Sequence, residues 1–193
     1  LTGPEPAAAV LVVDAEQRVV GRGITARGGG PSAVAIALGE AGEFAAGATV
    51  YTTIEAPGDD CDAIVAAQVA RAVVGTPDPQ SRGQGMATLN AAGIEASFGD
   101  HESSRELHEA YVARVENNRP LTSLFIAVSR DDMIARRDGL PVEHLAQTAR
   151  AWVAYSRSTT DALVTGLHTA DLEPLRGADD RSPLRVVLVG TRP

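Results

Sequence analysis

The stretch that decides the fold reads Gly28-Gly29-Gly30-Pro31-Ser32-Ala33-Val34. It follows a predicted β-hairpin and begins a predicted helix. Pro31 and Ser32 are residue types that are favoured at the start of a helix. A second loop further along the chain also leads into a predicted helix. It reads Thr53-Ile54-Glu55-Ala56-Pro57-Gly58-Asp59-Asp60-Cys61. Two loop-to-helix junctions of this kind are expected to frame a pocket.

The composition is that of an acidic globular protein. The chain has 193 residues, 44% of them hydrophobic, and a formal net charge of -8, with Arg as its only basic residue apart from His. This balance disfavours nucleic acid and anionic membranes as partners, and the absence of Lys excludes a Schiff-base or P-loop lysine. With one cysteine and no long apolar run, we expect a soluble, cytoplasmic protein without disulfides.

Alternating strands and helices predict an α/β fold for the first hundred residues. A hairpin over 8–13 and 18–23, with its first strand buried on both faces, precedes a helix over 33–41. Then follow strand 48–55, helix 59–69, strand 70–75, helix 85–92 and strand 94–99. Single helices between strands imply right-handed crossovers, a mainly parallel sheet and a three-layer α/β/α sandwich.

The pattern changes after residue 99. A long charged helix is predicted over 101–118, then strand 121–129, helix 142–158 and strands 161–166 and 184–190. We therefore expect a domain over 1–100, a connecting helix over 101–120 and a partial α/β domain over 121–193, which is short for a complete one.

The first two junctions resemble those of zinc-dependent nucleobase deaminases. That family carries His-x-Glu at its first helix and a cysteine pair at its second. Here Ser32 stands at the histidine position and Val34 at the glutamate position, while the first ligand cysteine is replaced around Ala56-Pro57. Of the motif, only Cys61 remains.

Across its length the chain resembles the bifunctional riboflavin-biosynthesis deaminase/reductase family. The similar segments, in the family's order, are Pro4-Glu5-Pro6, Gly29-Gly30-Pro31, Thr53-Ile54-Glu55, Asp78-Pro79, Ala127-Val128-Ser129-Arg130-Asp131 and Asp161-Ala162-Leu163-Val164-Thr165-Gly166. The resemblance implies a cytidine-deaminase-like sandwich followed by a partial reductase-like segment. It also implies a zinc deaminase acting on a phosphoribosylated diaminopyrimidinone and an NADPH-dependent reductase.

The departures argue against zinc. A catalytic zinc needs three protein ligands and an open position, yet the first hundred residues contain no His and a single Cys. Val34 cannot move a proton, and Glu5 replaces an Asn that the resemblance places beside the substrate. We expect no metal and no cofactor, with Cys61 as a buried remnant. A reactive thiolate at the helix start is the alternative for that residue.

Other polar and aromatic residues favour structural roles. His101 and His108, about 10.5 Å apart along a helix, are expected to be solvated, and His144 and a loop His168 are isolated. The glycine loop could cradle a phosphate, although its role as a frame is preferred. Trp152 and Tyr155 belong to a stripe typical of core or subunit contact.

Three hypotheses for function remain open. The first is a pseudo-deaminase that serves as a ligand-binding, regulatory or scaffolding module. In the second, the chain retains a pyrimidine-reductase role, for which the resemblance places Ser129, Asp131 and Thr169 near nicotinamide and substrate. NADPH would then require a partner that completes the domain. The third is a metal-free activity on a nucleoside- or pterin-like ligand, using Cys61 and a set of carboxylates: Glu5, Glu55, Asp59 and Asp60. As a partner in general we expect a small molecule that is pyrimidine-, pterin- or nucleotide-like. We expect a homo-oligomer in each case.

Overall fold

The computed structural model describes residues 5–99, 101–134, 147–172 and 183–190. The chain divides into two compact units, Leu1–Thr122 and Ser123–Pro193, which are described separately below. Within the described ranges, no helix is both long and apolar enough to cross a bilayer.

The first unit is built on a five-stranded sheet. The strands are β1 (Ala9–Val13), β2 (Val19–Ile24), β3 (Thr49–Thr52), β4 (Arg71–Val74) and β5 (Glu95–Phe98), in the order β2-β1-β3-β4-β5. β1 pairs antiparallel with both neighbours, whereas β3, β4 and β5 are parallel. The predicted hairpin and the mainly parallel sheet behind it are confirmed.

Helices follow strands β2, β3, β4 and β5, one after each strand. They are α1 (Ala33–Ala41), followed by a 3-10 turn (Gly42–Ala45), then α2 (Gly58–Ala66), α3 (Gln84–Ala91) and α4 (Glu102–Asn117). Each lies within a few residues of its prediction. α4, predicted as a connecting helix, belongs to the first unit.

One face of the sheet packs against α1 at close range. A β-carbon on Gly21 or Gly23 would meet the carbonyl oxygens of Ala37 and Ala33, so only glycine lets β2 approach this helix. The core beneath includes Val10, Val12, Val50 and Ala72 from the strands, all at most 2% exposed. Burial of β1 is confined to this face because Leu11, which points the other way, is 42% exposed. The prediction that β1 is buried on both faces was wrong.

The opposite face meets the beginning of α4. A β-carbon on Gly75 would contact Ser104 Oγ, and one on Gly99 would contact the His101 ring. Helices therefore flank the sheet on both sides, as the three-layer prediction requires. An apolar groove of about 420 Å³ remains on this face, lined by Leu11, Ile24, Tyr51, Val73 and the first turn of α4.

The second unit contains α5 (Gln147–Ser158), β6 (Ala162–Gly166), α6 (Leu167–Leu172) and β7 (Leu184–Leu188). β6 and β7 form a parallel two-stranded sheet in which Val164 pairs with Val186. Residues 142–146, with His144 and Leu145, lie outside the described residues.

Two predictions for this half were wrong, and one of two alternatives for a third is excluded. Residues 121–129 form no strand, because no strand among the described residues pairs with them and Ser129 N–H instead bonds Met133 O at 2.8 Å in a local turn. His168, predicted in a loop, belongs to α6, since the helix begins directly after β6. Trp152 and Tyr155 are 57% and 64% exposed rather than core residues, with Trp152 in edge contact with Phe125. Their role in a subunit contact stays a prediction.

Candidate functional site at the starts of two helices

Ser32 begins α1, where the resemblance puts a histidine ligand. Its backbone is extended and its Oγ accepts the Ala35 N–H at 3.1 Å, the geometry of an N-cap. Val34 is 2% exposed and belongs to the hydrophobic core. The position that resembles the deaminase proton carrier thus serves packing instead.

Ser32 also contacts the second helix. Its hydroxyl donates to Asp60 Oδ1 at 2.6 Å, joining the first turns of α1 and α2 across 28 residues. Burial raises the pKa of the half-buried Asp60 carboxyl, the Ser32 hydrogen bond lowers it, and the charge on Asp59 raises it again. The two predicted junctions therefore meet through a hydroxyl and a carboxylate.

Cys61 is fully buried, as predicted. Its Sγ lies 3.3 Å from Ala56 O and 3.6 Å from Gly85 O, so the thiol proton faces carbonyl oxygens. Burial, with the nearby carboxylates of Asp60, Glu55 and Asp62, raises the pKa of Cys61 to about 11. The raised pKa and the carbonyl contacts favour the neutral thiol over the alternative of a reactive thiolate.

Glu55 is an internal acceptor. It is 2% exposed, and its carboxylate accepts the N–H groups of Gly85 at 2.8 Å, Gly83 at 3.1 Å and Asp78 and Met86 at 3.3 Å. This carboxylate fixes the loop between β4 and α3 to the end of β3.

The predicted carboxylate set does not converge. Glu5 and Asp59 are exposed, Asp59 in the first turn of α2. Glu55 is committed to backbone amides and Asp60 to Ser32. Pro57, at the degenerate cysteine position, is the exposed N-cap of α2 and makes no side-chain cap bond.

These residues do not fit a zinc ion. Ser32 and Asp60 bond each other, and Pro57 has no ligand atom. The buried Cys61 thiol, with its raised pKa, is directed to carbonyl oxygens. In the part of the chain that the structure describes, no group of three or more His, Cys, Asp or Glu residues could hold a metal. A three-ligand catalytic centre is thus not formed by the described residues.

A polar network that the sequence did not predict lies at the carboxyl ends of β3 and β4. His108 is 1% exposed, with its Nε2 3.0 Å from Thr53 Oγ1. Tyr111 donates to Asp78 Oδ1 at 2.9 Å, and Ser81 donates to Asp78 Oδ2 at 3.1 Å. Burial lowers the pKa of His108, partly opposed by the Asp78 charge, and burial also raises the pKa of Tyr111.

The prediction of a solvated His108 was wrong. The signal that could have found it is spacing, because His108 and Tyr111 are three residues apart and share one face of α4. His101, in contrast, is exposed as predicted.

In the second unit, the Ser129 hydroxyl donates to Asp131 Oδ1 at 2.6 Å, and this bond lowers the pKa of Asp131. Thr169 is exposed on α6. Among the described residues of this unit the glycines are Gly166 and Gly190, so no glycine-rich phosphate loop is present in that part.

Comparison with known proteins places this arrangement in the class of deaminase-like α/β domains. No family model matches the chain. Riboflavin biosynthesis protein RibD of Synechocystis sp. is 33% identical over 97% of this chain and 54% of its own length. RibD of Mycobacterium tuberculosis is 32% identical over 99% of this chain and 61% of its own length.

Solved structures agree. RibD of Acinetobacter baumannii superposes with a TM-score of 0.81 and 30% identity, covering 99% of this chain and 59% of that one. The Thermotoga maritima protein, a diaminohydroxyphosphoribosylaminopyrimidine deaminase/5-amino-6-(5-phosphoribosylamino)uracil reductase, gives 0.84 with 27% identity over 95% of this chain and 56% of its own. Over nearly its whole length the chain is thus homologous to RibD riboflavin-biosynthesis proteins, and it spans little more than half the length of these relatives.

Proposed function

We propose that the first unit is a RibD-type deaminase domain that works without zinc as a binding module for a pyrimidine- or pterin-like small molecule. The observation that carries this proposal is the 2.6 Å bond from Ser32 to Asp60, which occupies the side chains at the two helix starts. The buried Cys61 supports the proposal as well, because its thiol is directed to carbonyl oxygens and its pKa is raised, whereas a thiol must lose its proton to bind zinc.

The absence of a side chain that could carry the proton also argues against deamination, independently of the metal. Zinc deamination needs a side chain that moves a proton between water and the base. Val34 is buried in the core, and Glu55 holds four backbone N–H groups, so neither is available for that task.

The decisive experiment measures zinc content and ammonia release on the purified full chain. We expect substoichiometric zinc and no ammonia from a phosphoribosylated diaminopyrimidinone, with the Thermotoga maritima protein as the positive control. Stoichiometric zinc together with ammonia release would refute the proposal.

Binding is tested separately by a thermal-shift screen of pyrimidine, pterin, flavin and nicotinamide compounds, with zinc and chelator controls. A saturable rise in Tm with a pyrimidine or pterin supports the binding role, since a ligand specific for the folded state stabilises it by mass action. A screen in which none of these compounds raises Tm would contradict it.

A pyrimidine-reductase role is the second candidate. It is favoured by the extent of the match, because the RibD relatives align through both units of this chain. This candidate requires binding of NADPH, which calorimetry measures directly. A flat titration of the full chain, alone and with any natural partner, would remove it.

A further inference from the structure

The Ser32–Asp60 contact is more than a substitute at one ligand position. The Ser32 hydroxyl has one proton, which goes to Asp60, and its lone pair accepts the Ala35 N–H. One oxygen atom therefore serves both the cap of α1 and the link to α2.

The contact belongs to the strong class of hydrogen bonds. A hydroxyl to an ionised carboxylate is typically 2.5–2.7 Å long and roughly twice as strong as a neutral pair. Ser32 and Asp60 are half-buried, which limits competition from water. Asp60 also lies in the first turn of α2, where the helix dipole favours a negative charge.

The surroundings leave few other polar links between these two helix starts. Pro57 offers α2 no side-chain cap, and the Cys61 thiol donates to the carbonyl oxygens of Ala56 and Gly85, neither of which belongs to α1. Both helices bury small apolar residues toward the core, among them Ala33, Val34, Cys61 and Ile64. Apolar contacts of this kind fix distance but little orientation, which a directional hydrogen bond supplies.

We infer that Ser32 and Asp60 form a metal-free tether that fixes the starts of α1 and α2 relative to each other, where the resemblance would place a shared ion. A metal ion bound by both helix starts would hold them together, and here a hydroxyl–carboxylate pair does so. The fold of the first unit then depends on this pair and is insensitive to zinc. The inference concerns the stability of the domain and does not depend on which ligand the domain binds.

A double-mutant cycle on the full chain tests the tether. The variants are Ser32→Ala, Asp60→Ala and the double variant, with urea unfolding as the measurement. Asp60→Ala is expected to raise the unfolding equilibrium constant about tenfold. Ser32→Ala is expected to raise it further, because this change also removes the N-cap of α1. The double variant is expected to fall about tenfold short of the product of the two single effects, because both remove the same bond.

Asp59→Ala is the matched control, because Asp59 has the same chemistry one residue away but is exposed. Combined with Ser32→Ala it should give additive effects. Loss of the Ser32 cap alone is also additive with a change at position 60, so non-additivity reports the link and not the cap. Additive effects of Ser32→Ala and Asp60→Ala would overturn the tether.

A second readout needs only the wild-type chain. Neither EDTA nor added zinc should shift its urea midpoint. A shift with either would mean that a metal contributes to the fold, and would overturn the inference. If zinc is absent but the cycle is additive, the tether fails while the proposed zinc-free function stands.

Discussion

At the scale of single residues, Glu55 illustrates how a buried carboxylate becomes part of the framework. A buried charge is costly unless hydrogen bonds replace its hydration, and four backbone N–H groups do so here. Because the donors come from the loop after β4 and from the start of α3, the carboxylate organises a segment about 30 residues away in sequence.

Glu55→Gln should therefore destabilise the chain by about 3 kcal/mol. The amide loses the charge and turns an NH₂ group toward backbone donors, leaving buried groups unsatisfied. Urea unfolding measures the loss. The control is Glu95→Gln, because Glu95 is a surface residue whose ion pair with Arg71 spans 4.0 Å and should be worth less than about 0.5 kcal/mol. Equal stabilities of the two variants would show that the Glu55 charge is dispensable.

His108 gives the first unit a predictable response to acid. Its pKa is lowered in the folded chain, chiefly by burial. As pH falls below about 6.5, the unfolded chain takes up a proton before the folded one does. The contribution of His108 to the free energy of unfolding is therefore fully present above that pH. It is lost as the pH falls toward the pKa of His108 in the folded chain, by at most about 1.4 kcal/mol per pH unit.

Urea unfolding across this pH range checks the response. His108→Gln should flatten the dependence on pH, while His101→Gln, a change at an exposed position just before the same helix, should keep the wild-type slope. A wild-type slope in His108→Gln would place the titrating group elsewhere.

At the scale of elements, the packing of α1 on β2 rests on glycine. Gly21→Ala should destabilise the chain by about 1–3 kcal/mol, because the new β-carbon meets the Ala37 carbonyl oxygen and the helix must move away. Gly39 lies on α1 with nothing near its would-be β-carbon. Gly39→Ala should instead stabilise by about 0.5–1 kcal/mol through helix propensity. Thermal unfolding measures both effects. If Gly21→Ala and Gly39→Ala shift Tm in the same direction, the packing described here is contradicted.

The order of elements could be predicted from the sequence because hydrophobic pattern and turn residues are local. Strand, loop and helix alternate clearly from residue 8 to 99, and each predicted element of that range is observed within a few residues. The contact between Ser32 and Asp60 could not be predicted in the same way. Both residues were recognised as candidates, but their meeting depends on how closely two helix starts approach in space.

The burial of His108 could not be predicted from the sequence either, although His108 lies on a single helix. α4 has a charged sequence and exposes most of its residues, so its pattern indicates a solvated helix. Yet His108 is buried and contacts Thr53, a residue just after β3 and 55 positions away in the sequence. Helix periodicity predicts which residues share a face but not which element covers it.

At the scale of the whole molecule, the second unit presents an unusual surface. One face of the parallel β6–β7 pair carries apolar residues that are exposed in the described part of the unit: Val164 (59%), Leu184 (69%), Val186 (37%) and Leu188 (62%). Parallel sheets are normally covered on both faces, and two strands alone are marginal in water. This surface agrees with the expectation of a homo-oligomer, which stays a prediction.

Val164→Glu should therefore reduce self-association of the full chain. The carboxylate places a charge in the middle of the apolar face, opposite Val186, at a cost in any interface that desolvates it. Light scattering after gel filtration should give an oligomer for the wild type and a smaller species for the variant. Gln147→Glu adds the same charge at an exposed site at the start of α5 and should leave the oligomer intact. A monomeric wild type, or equal masses for the wild type and Val164→Glu, would rule out association through this face.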